Sequence, residues 1–188
     1  MSTSTFSPAL PLLSGDEFLR QHGGERGLEL VRGIVRRKEL PGARHGLICQ
    51  RLSFHIGLYL ETNEIGYLLT NDTFVRTEQF PESFRGPDLQ FFSYARMPKG
   101  TVPTGVPDVA PNLVIEVRSP SETMKSLLQK AVEYLDANVN VVVLIDPDER
   151  SATVVQSDGN PHVMRTDQTL TFPGLLPGFA LPLNILFE

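Results

Sequence analysis

The sequence places one acidic side chain, Glu116, inside an otherwise apolar run. Residues 113–117 read Leu-Val-Ile-Glu-Val, a short pattern that is typical of a buried strand. An ionised carboxylate buried in a sheet costs several kcal/mol unless a cation lies beside it. We therefore expect Glu116 to meet a metal ion, a lysine or an arginine, or else to form an ordinary ion pair at the open end of its strand.

A second acid, Asp88, stands where another strand is predicted to begin. Pro87 and Asp88 precede the apolar segment 89–93, and proline is tolerated at the start of a strand. Taken alone, Asp88 is an ordinary turn residue. Its strand and that of Glu116 are separated by a loop long enough to let them pair as a hairpin, which would bring both carboxylates together. Asp108 also follows a proline, but it lies within the loop, and we expect it to stay away from any site.

Two further residues are candidates to join these acids. Lys130 lies on the flank of the apolar face of a predicted helix, where its amine can extend to solvent or reach toward the sheet. Glu29 lies between two leucines, and by strand alternation alone it faces solvent. The densest basic cluster of the chain follows, and it is either a solvated strand edge or a phosphate-binding surface: Arg32, Arg36, Arg37 and Lys38.

Two carboxylates on neighbouring strands, with a lysine close by, suit a hard divalent cation. Mg²⁺ or Mn²⁺ takes oxygen ligands and keeps several waters, and the backbone carbonyl of Val117 at the strand end is a candidate third ligand. Such an ion polarises a phosphodiester and lowers the pKa of an attacking water. A lysine orients that water or neutralises the developing negative charge.

Neither His45 nor Cys49 is expected to take part in this chemistry. His45 lies in the first turn of a predicted helix, and we interpret it as a surface residue. Cys49 is the single cysteine, which excludes an internal disulfide and a multi-cysteine zinc site. We interpret Cys49 as a small buried apolar residue.

Strand-like and helical patterns alternate along the chain. The predicted order is a short helix capped by Ser14, strands within 27–40 that turn near Gly33, a helix over 44–62, strands within 66–77, at 89–93 and at 113–117, a helix over about 121–137, and strands at 139–146, 151–156 and 162–171. Two segments are predicted to be irregular, namely the loop 78–86 and an apolar, proline-broken strap over 173–187.

Composition sets the class of protein. The chain has 188 residues, of which 40% are hydrophobic, and we predict an N-terminal arm over 1–13 and a single domain over 14–188. The net charge of −5 argues against a generic electrostatic nucleic-acid binder, although it allows a local basic groove. The absence of a transmembrane-length apolar run and of a signal-peptide pattern predicts a soluble, cytoplasmic protein.

Several motifs occur together in a recognisable order. They are Pro87-Asp88, Glu-Val-Arg-Ser-Pro at 116–120, Lys130, Leu-Glu-Leu-Val-Arg-Gly at 28–33, Ala-Arg-His-Gly at 43–46, Gln-Lys-Ala-Val-Glu-Tyr-Leu at 129–135 and Val-Leu-Ile-Asp-Pro at 143–147. As an ordered set over about residues 14–187, they resemble the Uma-type family of bacterial restriction endonucleases, within the PD-(D/E)XK nuclease superfamily.

The resemblance implies a restriction-endonuclease-like α/β core, with a mixed central β-sheet flanked by α-helices. It also implies metal binding by Asp88 and Glu116, a catalytic role for Lys130 and the role of an upstream catalytic acid for Glu29. The simplest superfamily motif has lysine two residues after the second acid, where this chain has Arg118. Arginine does not deprotonate in proteins and cannot act as a general base, and in the family the lysine has moved to the following helix, where Lys130 stands.

The expected function is therefore that of a Mg²⁺- or Mn²⁺-dependent endonuclease acting on DNA, with two copies of the chain as a natural way to cut both strands. Two alternatives remain open. A catalytically silent protein of the same fold would serve as a binding or assembly module, which the negative net charge favours. A small-molecule hydrolase would use the same metal site. No recognition helix or base-reading motif specifies a target sequence.

Overall fold

The computed structural model describes residues 12–157 and 159–188, so the first eleven residues of the predicted arm lie outside it. The helices are α1 (Gly15–His22), α2 (Ala43–Thr62), α3 (Met124–Asp136) and α4 (Asn184–Phe187). The strands are β1 (Leu28–Val31), β2 (Ile34–Arg37), β3 (Gly66–Thr70), β4 (Val75–Gln79), β5 (Glu82–Arg85), β6 (Leu89–Ser93), β7 (Leu113–Val117), β8 (Val141–Asp146), β9 (Ser151–Gln156), β10 (His162–Met164), β11 (Thr169–Phe172) and β12 (Leu176–Pro182).

The central sheet has six strands in the order β10-β9-β8-β7-β6-β3. The β7–β8 pair is parallel and its other pairs are antiparallel, so the sheet is mixed. Apolar residues of α2 cover one face and those of α3 cover the other. Every residue of β7 and β8 is buried, because the two innermost strands are covered on both faces. This arrangement confirms the predicted mixed sheet flanked by helices.

The predicted pairing of the two acid-bearing strands is confirmed. β6 and β7 are antiparallel neighbours, with Leu89 opposite Ile115. Asp88 immediately precedes β6, and Glu116 immediately follows Ile115, so the backbone brings the two acids side by side.

A second, four-stranded antiparallel sheet has the order β2-β1-β5-β4 and lies against α1. The predicted capping box of α1 is confirmed, because the Ser14 hydroxyl accepts from the Glu17 N–H while the Glu17 carboxylate accepts from the Ser14 N–H. The turn predicted near Gly33 is confirmed between β1 and β2, where Arg32 and Gly33 have positive φ angles. Leu13, assigned by the sequence to the arm, donates its N–H to the Gly33 carbonyl at 2.8 Å.

The predicted loop over residues 78–86 is wrong, because most of that segment belongs to the β4–β5 hairpin. The hairpin buries Phe84 against Phe18 of α1 and Leu30 of β1. A single buried aromatic among charged residues gives a weak strand pattern, and contacts with α1 and β1, distant in sequence, stabilise the hairpin.

The predicted irregular strap over residues 173–187 is also wrong. β12 pairs with β11 in a two-stranded sheet, and the short helix α4 follows. Pro177 and Pro182 lie at exposed positions of this strand, where proline is tolerated. An irregularity in the pairing and the positive φ of Gly178 interrupt the alternation that would have identified the strand.

Two other boundaries differ from the predicted ones. The segment predicted as one strand over 162–171 forms β10 and β11 with a turn between them. Helix α3 begins at Met124 because Thr123 supplies its cap.

Across the described part of the chain, no helix combines the length and the apolar character that a membrane crossing requires.

Candidate functional site

The acid-bearing strand ends face a cavity of ≈ 680 Å³. Its walls come from the start of β6, the end of β7, the N-terminal turn of α2 and the middle of α3, together with β1 and the residues that follow β2. A cavity of this size suits a small ligand or a segment of a larger one. The predicted site residues Glu29, Asp88, Glu116, Val117 and Lys130 all line it.

Glu116 is buried, with its side chain 3% exposed. Its Oε1 accepts a hydrogen bond from the Tyr134 hydroxyl at 2.8 Å and lies 3.7 Å from the Lys130 Nζ. Its Oε2 accepts no hydrogen bond from the described residues. Burial raises the pKa of Glu116 to about 7; the Lys130 charge opposes this rise, and the Asp88 charge adds to it. The negative charge of Glu116 is therefore only partly neutralised by the surrounding side chains.

Lys130 reaches the sheet, which settles the alternative that its helical position left open. Its Nζ donates to Glu122 Oε1 at 3.1 Å as well as facing Glu116. Burial lowers the pKa of Lys130, but the surrounding carboxylates, led by Glu116, outweigh it and raise that pKa overall. Lys130 therefore stays protonated at neutral pH and acts as a cation and hydrogen-bond donor.

Asp88 contacts Val117 of β7 and His45 of α2. Its Oδ2 accepts the Val117 N–H at 2.7 Å, whereas its Oδ1 accepts no hydrogen bond from the described residues. Within a strand, the N–H and C=O of one residue point to the same side. Continued by two residues, the β6–β7 register sets Pro87 opposite Val117, and proline has no N–H to donate. The Val117 carbonyl therefore has no ladder partner on that side.

The surface interpretation of His45 is wrong. Its side chain is 11% exposed, and its Nε2 lies 3.2 Å from Asp88 Oδ2. Burial lowers the pKa of His45, but the contact with Asp88 outweighs it and raises that pKa overall. The only sequence signal was its place in the Ala-Arg-His-Gly motif, because helical periodicity cannot reveal a contact with a strand distant in sequence.

Cys49 lies one helical turn after His45, and its Sγ is 3.5 Å from His45 Nδ1. The order Cys49, His45, Asp88 therefore has the connectivity of a nucleophile, a base and an orienting acid. A nucleophilic thiol needs a lowered pKa. Here burial raises the pKa of Cys49, and the charges of Asp88 and Glu116 raise it further. The thiol stays protonated, which argues against thiol catalysis.

Lys38 is the member of the predicted basic cluster that turns toward the acids. Its Nζ donates to Asp72 Oδ1 at 2.7 Å and to the Gly86 carbonyl at 2.8 Å. Burial lowers the pKa of Lys38, but nearby acids, led by Glu116, raise it overall. No local pattern separates Lys38 from its arginine neighbours, so the sequence did not single it out.

The arginines of that cluster point outward. Arg32 lies 3.4 Å from Glu78, and Arg37 lies 3.7 Å from Glu25 while lining the rim of the cavity. Arg36 is exposed. The cluster is thus partly a solvated edge, as one alternative held, and Lys38 and Arg37 contribute positive charge to the cavity.

Glu29 is buried rather than solvent-facing. Its Oε2 lies 2.9 Å from Arg85 Nη1, and its Oε1 accepts the Gly86 N–H at 3.2 Å. Arg85 also forms a two-pronged contact with Glu133. The charge of Glu29 is therefore paired within the protein, in contrast to that of Glu116.

Arg118 and Asp108 occupy sequence positions similar to those of the predicted site residues, but neither lines the cavity. Arg118, at the simplest lysine position, pairs with Asp146, the last residue of β8, and with Asp148 in the turn that follows. Asp108 is exposed, as its loop position predicted. The lysine that faces Glu116 is thus on α3.

The oxygen atoms of the site fit a hard divalent cation. Asp88 Oδ1, Glu116 Oε2 and the Val117 carbonyl are free of the hydrogen bonds described above, and oxygen ligands are those that Mg²⁺ prefers. Burial raises the pKa of Glu116, and a dication bound beside this acid would favour its ionised form.

Comparisons with known proteins agree with this geometry. The structure is similar to the crystal structure of a protein from Anabaena variabilis ATCC 29413, described as a putative nuclease belonging to DUF820. The TM-score is 0.81 at 22% identity, over 93% of this chain and 97% of the other. At that identity the likeness establishes a shared fold. No curated protein matches the sequence.

A family model covers almost all of the described chain. It matches residues 16–184 and carries the description "Uma2: Putative restriction endonuclease". The match includes both strand acids, Lys130 and the cavity between them, and it agrees with the nuclease fold of the solved structure. The chain therefore belongs to the Uma2 family of restriction-endonuclease-like proteins.

Proposed function

We propose that this protein is a Mg²⁺- or Mn²⁺-dependent endonuclease that hydrolyses DNA phosphodiester bonds. One observation carries the proposal, namely the buried and incompletely compensated carboxylate of Glu116 at the cavity, with Asp88 beside it and Lys130 3.7 Å away. A structural ion pair would need no free carboxylate oxygen and no second acid.

Asp88, Glu116 and the Val117 carbonyl would hold the ion. When bound, the ion would supply polarisation of the scissile phosphate and a lowered pKa for the attacking water. Lys130 is protonated, so it donates a hydrogen bond to the attacking water or to the developing negative charge. Tyr134 holds Glu116 Oε1, which leaves Oε2 for the ion. His45 orients Asp88 through their 3.2 Å contact.

Substrate phosphates meet positive charge at the rim. Lys38 and Arg37 line the same cavity, and both are candidates to contact phosphates on either side of the scissile bond. Because the net charge of the chain is −5, attraction of DNA depends on these local charges and on the bound ion.

Glu29 has a positioning role in this proposal. It accepts the Gly86 N–H, and the Gly86 carbonyl in turn accepts from Lys38, just before Asp88 in the chain. These two hydrogen bonds fix the backbone that leads into Asp88. Glu29 therefore acts on the metal ligand through the chain, as an upstream acid paired with Arg85.

Cleavage of supercoiled plasmid tests the proposal. We expect nicked and linear products with Mg²⁺ or Mn²⁺, none with excess chelator, and a loss of about 100-fold or more in Glu116→Gln and Lys130→Gln. Glu64→Gln is the matched control, since Glu64 is an exposed acid paired with Lys99. Cleavage that survives chelation, or that Glu116→Gln leaves unchanged, would contradict the proposal.

A small phosphodiester substrate separates DNA cleavage from small-molecule hydrolysis. We expect the purified protein to cleave plasmid at metal concentrations where it barely hydrolyses bis(4-nitrophenyl) phosphate, because Lys38 and Arg37 have no neighbouring phosphates to bind on that substrate. Faster turnover of the small diester than of DNA would favour the small-molecule alternative.

A silent binding module is the second candidate function. The observation that favours it is Lys130, which already contacts both Glu116 and Glu122 and so partly neutralises the site without an ion. Calorimetric titration with Mn²⁺ distinguishes the two, because a nuclease site binds one saturable ion with Glu116 as a ligand. Absence of saturable binding would favour the silent module.

We also propose that two copies act together on duplex DNA, because each copy would supply one proposed metal site from its described residues and a duplex has two strands. Sedimentation velocity with and without a DNA duplex measures the assembly. A single copy per duplex that only nicks would contradict this part of the proposal and leave the metal site intact.

A further inference from the structure

Helix α2 and strand β6 bring three different metal-binding side chains together beside the proposed Mg²⁺ site. His45 and Cys49 are four residues apart on α2, so their side chains lie on one face. The Cys49 Sγ lies 3.5 Å from His45 Nδ1, and Asp88 Oδ2 lies 3.2 Å from His45 Nε2. One donor atom from each of the three residues can be chosen so that all lie within 4.8 Å of one another.

From this geometry we infer that His45, Cys49 and Asp88 form a second metal site, selective for a softer divalent ion of the Zn²⁺ class. Because Asp88 would be a ligand in both sites, the softer ion would compete with Mg²⁺ or Mn²⁺. The competition rests on the proposed function, whereas the binding of the softer ion does not.

The types of donor atom select the ion. A thiolate, an imidazole and a carboxylate are common zinc ligands, whereas Mg²⁺ avoids sulfur and takes oxygen. At ordinary Zn–S and Zn–N bond lengths, a tetrahedral site separates sulfur from nitrogen by about 3.6 Å, and the Cys49–His45 contact is already 3.5 Å. Three protein ligands leave the fourth position for water.

One ring nitrogen of His45 must serve the ion, so part of the cluster has to move. The three donor atoms lie within 4.8 Å of one another, and this limit exceeds the ligand–ligand distance of a tetrahedral zinc site by roughly 1 Å. Rotation of the Asp88 or Cys49 side chain can close that difference. Asp88 contacts both the Val117 N–H and His45 Nε2 through Oδ2, and its Oδ1 remains available. The backbone therefore needs no rearrangement.

The charged groups around the cluster also favour a cation at this place. The carboxylates of Asp88, Glu116 and Asp72 line the same cavity as His45, and the amines of Lys38 and Lys130 lie among them. A bound ion would stabilise the Cys49 thiolate that binds it.

Cobalt substitution tests the site with a signal that does not depend on activity. Co²⁺ replaces Zn²⁺ in such sites, and a thiolate bound to Co²⁺ gives charge-transfer absorption in the near ultraviolet. The chain has a single cysteine, so this absorption can arise only from Cys49. We expect one equivalent of Co²⁺ to produce the band in metal-free protein, and Zn²⁺ to abolish it by displacement.

Variants define the ligand set. Cys49→Ser should abolish the band, and His45→Gln and Asp88→Asn should each weaken Co²⁺ binding by at least about tenfold. His55→Gln is the matched control, because His55 lies on the same helix and outside the cluster. A missing band in the native chain, or a band of unchanged affinity in both His45→Gln and Asp88→Asn, would overturn the site.

Competition is then measured by titrating Mn²⁺ calorimetrically with and without one equivalent of Zn²⁺. We expect Zn²⁺ to weaken Mn²⁺ binding at least tenfold in the native chain and not in Cys49→Ser. Equal Mn²⁺ affinity in both conditions would overturn the shared role of Asp88. If no Mn²⁺ binds at all, the proposed function fails, while the cobalt band still reports on the softer site.

Discussion

Two glutamates in the interior of this protein have the same burial and opposite surroundings. Glu29 in β1 and Glu116 in β7 have side chains that are 4% and 3% exposed. Glu29 faces a guanidinium at 2.9 Å and a backbone N–H at 3.2 Å. Glu116 has a neutral hydroxyl at 2.8 Å and an amine at 3.7 Å, which it shares with Glu122.

The difference separates an acid that is paired within the fold from the acid that we propose as a metal ligand. Glu29 accepts one hydrogen bond from the Arg85 guanidinium and one from the Gly86 N–H, so both of its oxygens are satisfied within the fold. Glu116 keeps an oxygen without a donor among the described residues, and its pKa is raised to about 7 by burial. Burial alone therefore does not distinguish the two acids. The charge and distance of the groups beside each carboxylate do.

The largest expected effect follows from removing the partner of the satisfied acid. Arg85→Met leaves Glu29 and Glu133 without their guanidinium, and breaking a buried pair in this way costs about 3–5 kcal/mol of unfolding free energy. Urea denaturation measures the loss. Lys99→Met is the control, because its partner Glu64 is exposed and the pair contributes little. A loss below about 1 kcal/mol in Arg85→Met would contradict the structural role given to Glu29.

The second largest effect is expected in Mn²⁺ affinity, to which the two glutamates should contribute unequally. We expect Glu116→Gln to weaken Mn²⁺ binding by about 100-fold, which corresponds to about 2.7 kcal/mol. Glu29→Gln should weaken it by less than about tenfold, since Glu29 acts on Asp88 only through the backbone near Gly86. Isothermal calorimetry at pH 8 gives both values. Equal losses in the two variants would make Glu29 a direct ligand.

The stability of metal-free protein should also depend on pH through Glu116. Its pKa is raised from 4.5 to about 7 in the folded chain, so between these values the folded state binds more protons than the unfolded state. Unfolding free energy therefore falls as the pH rises from about 4.5 to 7, by roughly 1–3 kcal/mol. The Glu116→Gln variant lacks this loss of stability. The pH dependence that other carboxylates contribute is common to both proteins, so it cancels when their unfolding free energies are subtracted.

Urea denaturation at pH 5 and pH 8 measures that difference. We expect Glu116→Gln to gain stability relative to the native chain as the pH rises, and saturating Mn²⁺ to restore the native chain at pH 8. A difference between the two proteins that does not change with pH would show that Glu116 is compensated as well as Glu29.

Sequence alone identified Glu116 because its anomaly is local. A charged residue within four apolar neighbours is visible without knowledge of any contact, and the pairing of its strand with that of Asp88 followed from the loop between them. Glu29 has nearly the same local pattern, yet its partner Arg85 comes from β5, a strand in a segment that was predicted as a loop. The contrast between the two acids was therefore invisible in the sequence.

His45 and Lys38 were assigned incorrectly or left open for the same reason. Each reaches the cavity from an element whose own pattern is ordinary, a helix N-terminus in one case and a basic strand edge in the other. Contacts between elements distant in sequence decide their surroundings. The β11–β12 pair was missed because proline and glycine interrupt its alternation, although its exposed positions tolerate them.

The smallest expected effect concerns the neutral partner of Glu116. Tyr134→Phe removes the hydroxyl that donates to Oε1 at 2.8 Å and keeps the buried ring, so the cost should be about 1.5 kcal/mol at pH 8, where the acceptor is charged. At pH 5 the native Glu116 is protonated, and the hydroxyl then stabilises a neutral acid, so the cost should be smaller. Urea denaturation of the metal-free variant at both pH values measures it. A cost that is the same at pH 5 and pH 8 would mean that the hydroxyl does not respond to the charge of Glu116, and that Lys130 alone compensates this acid.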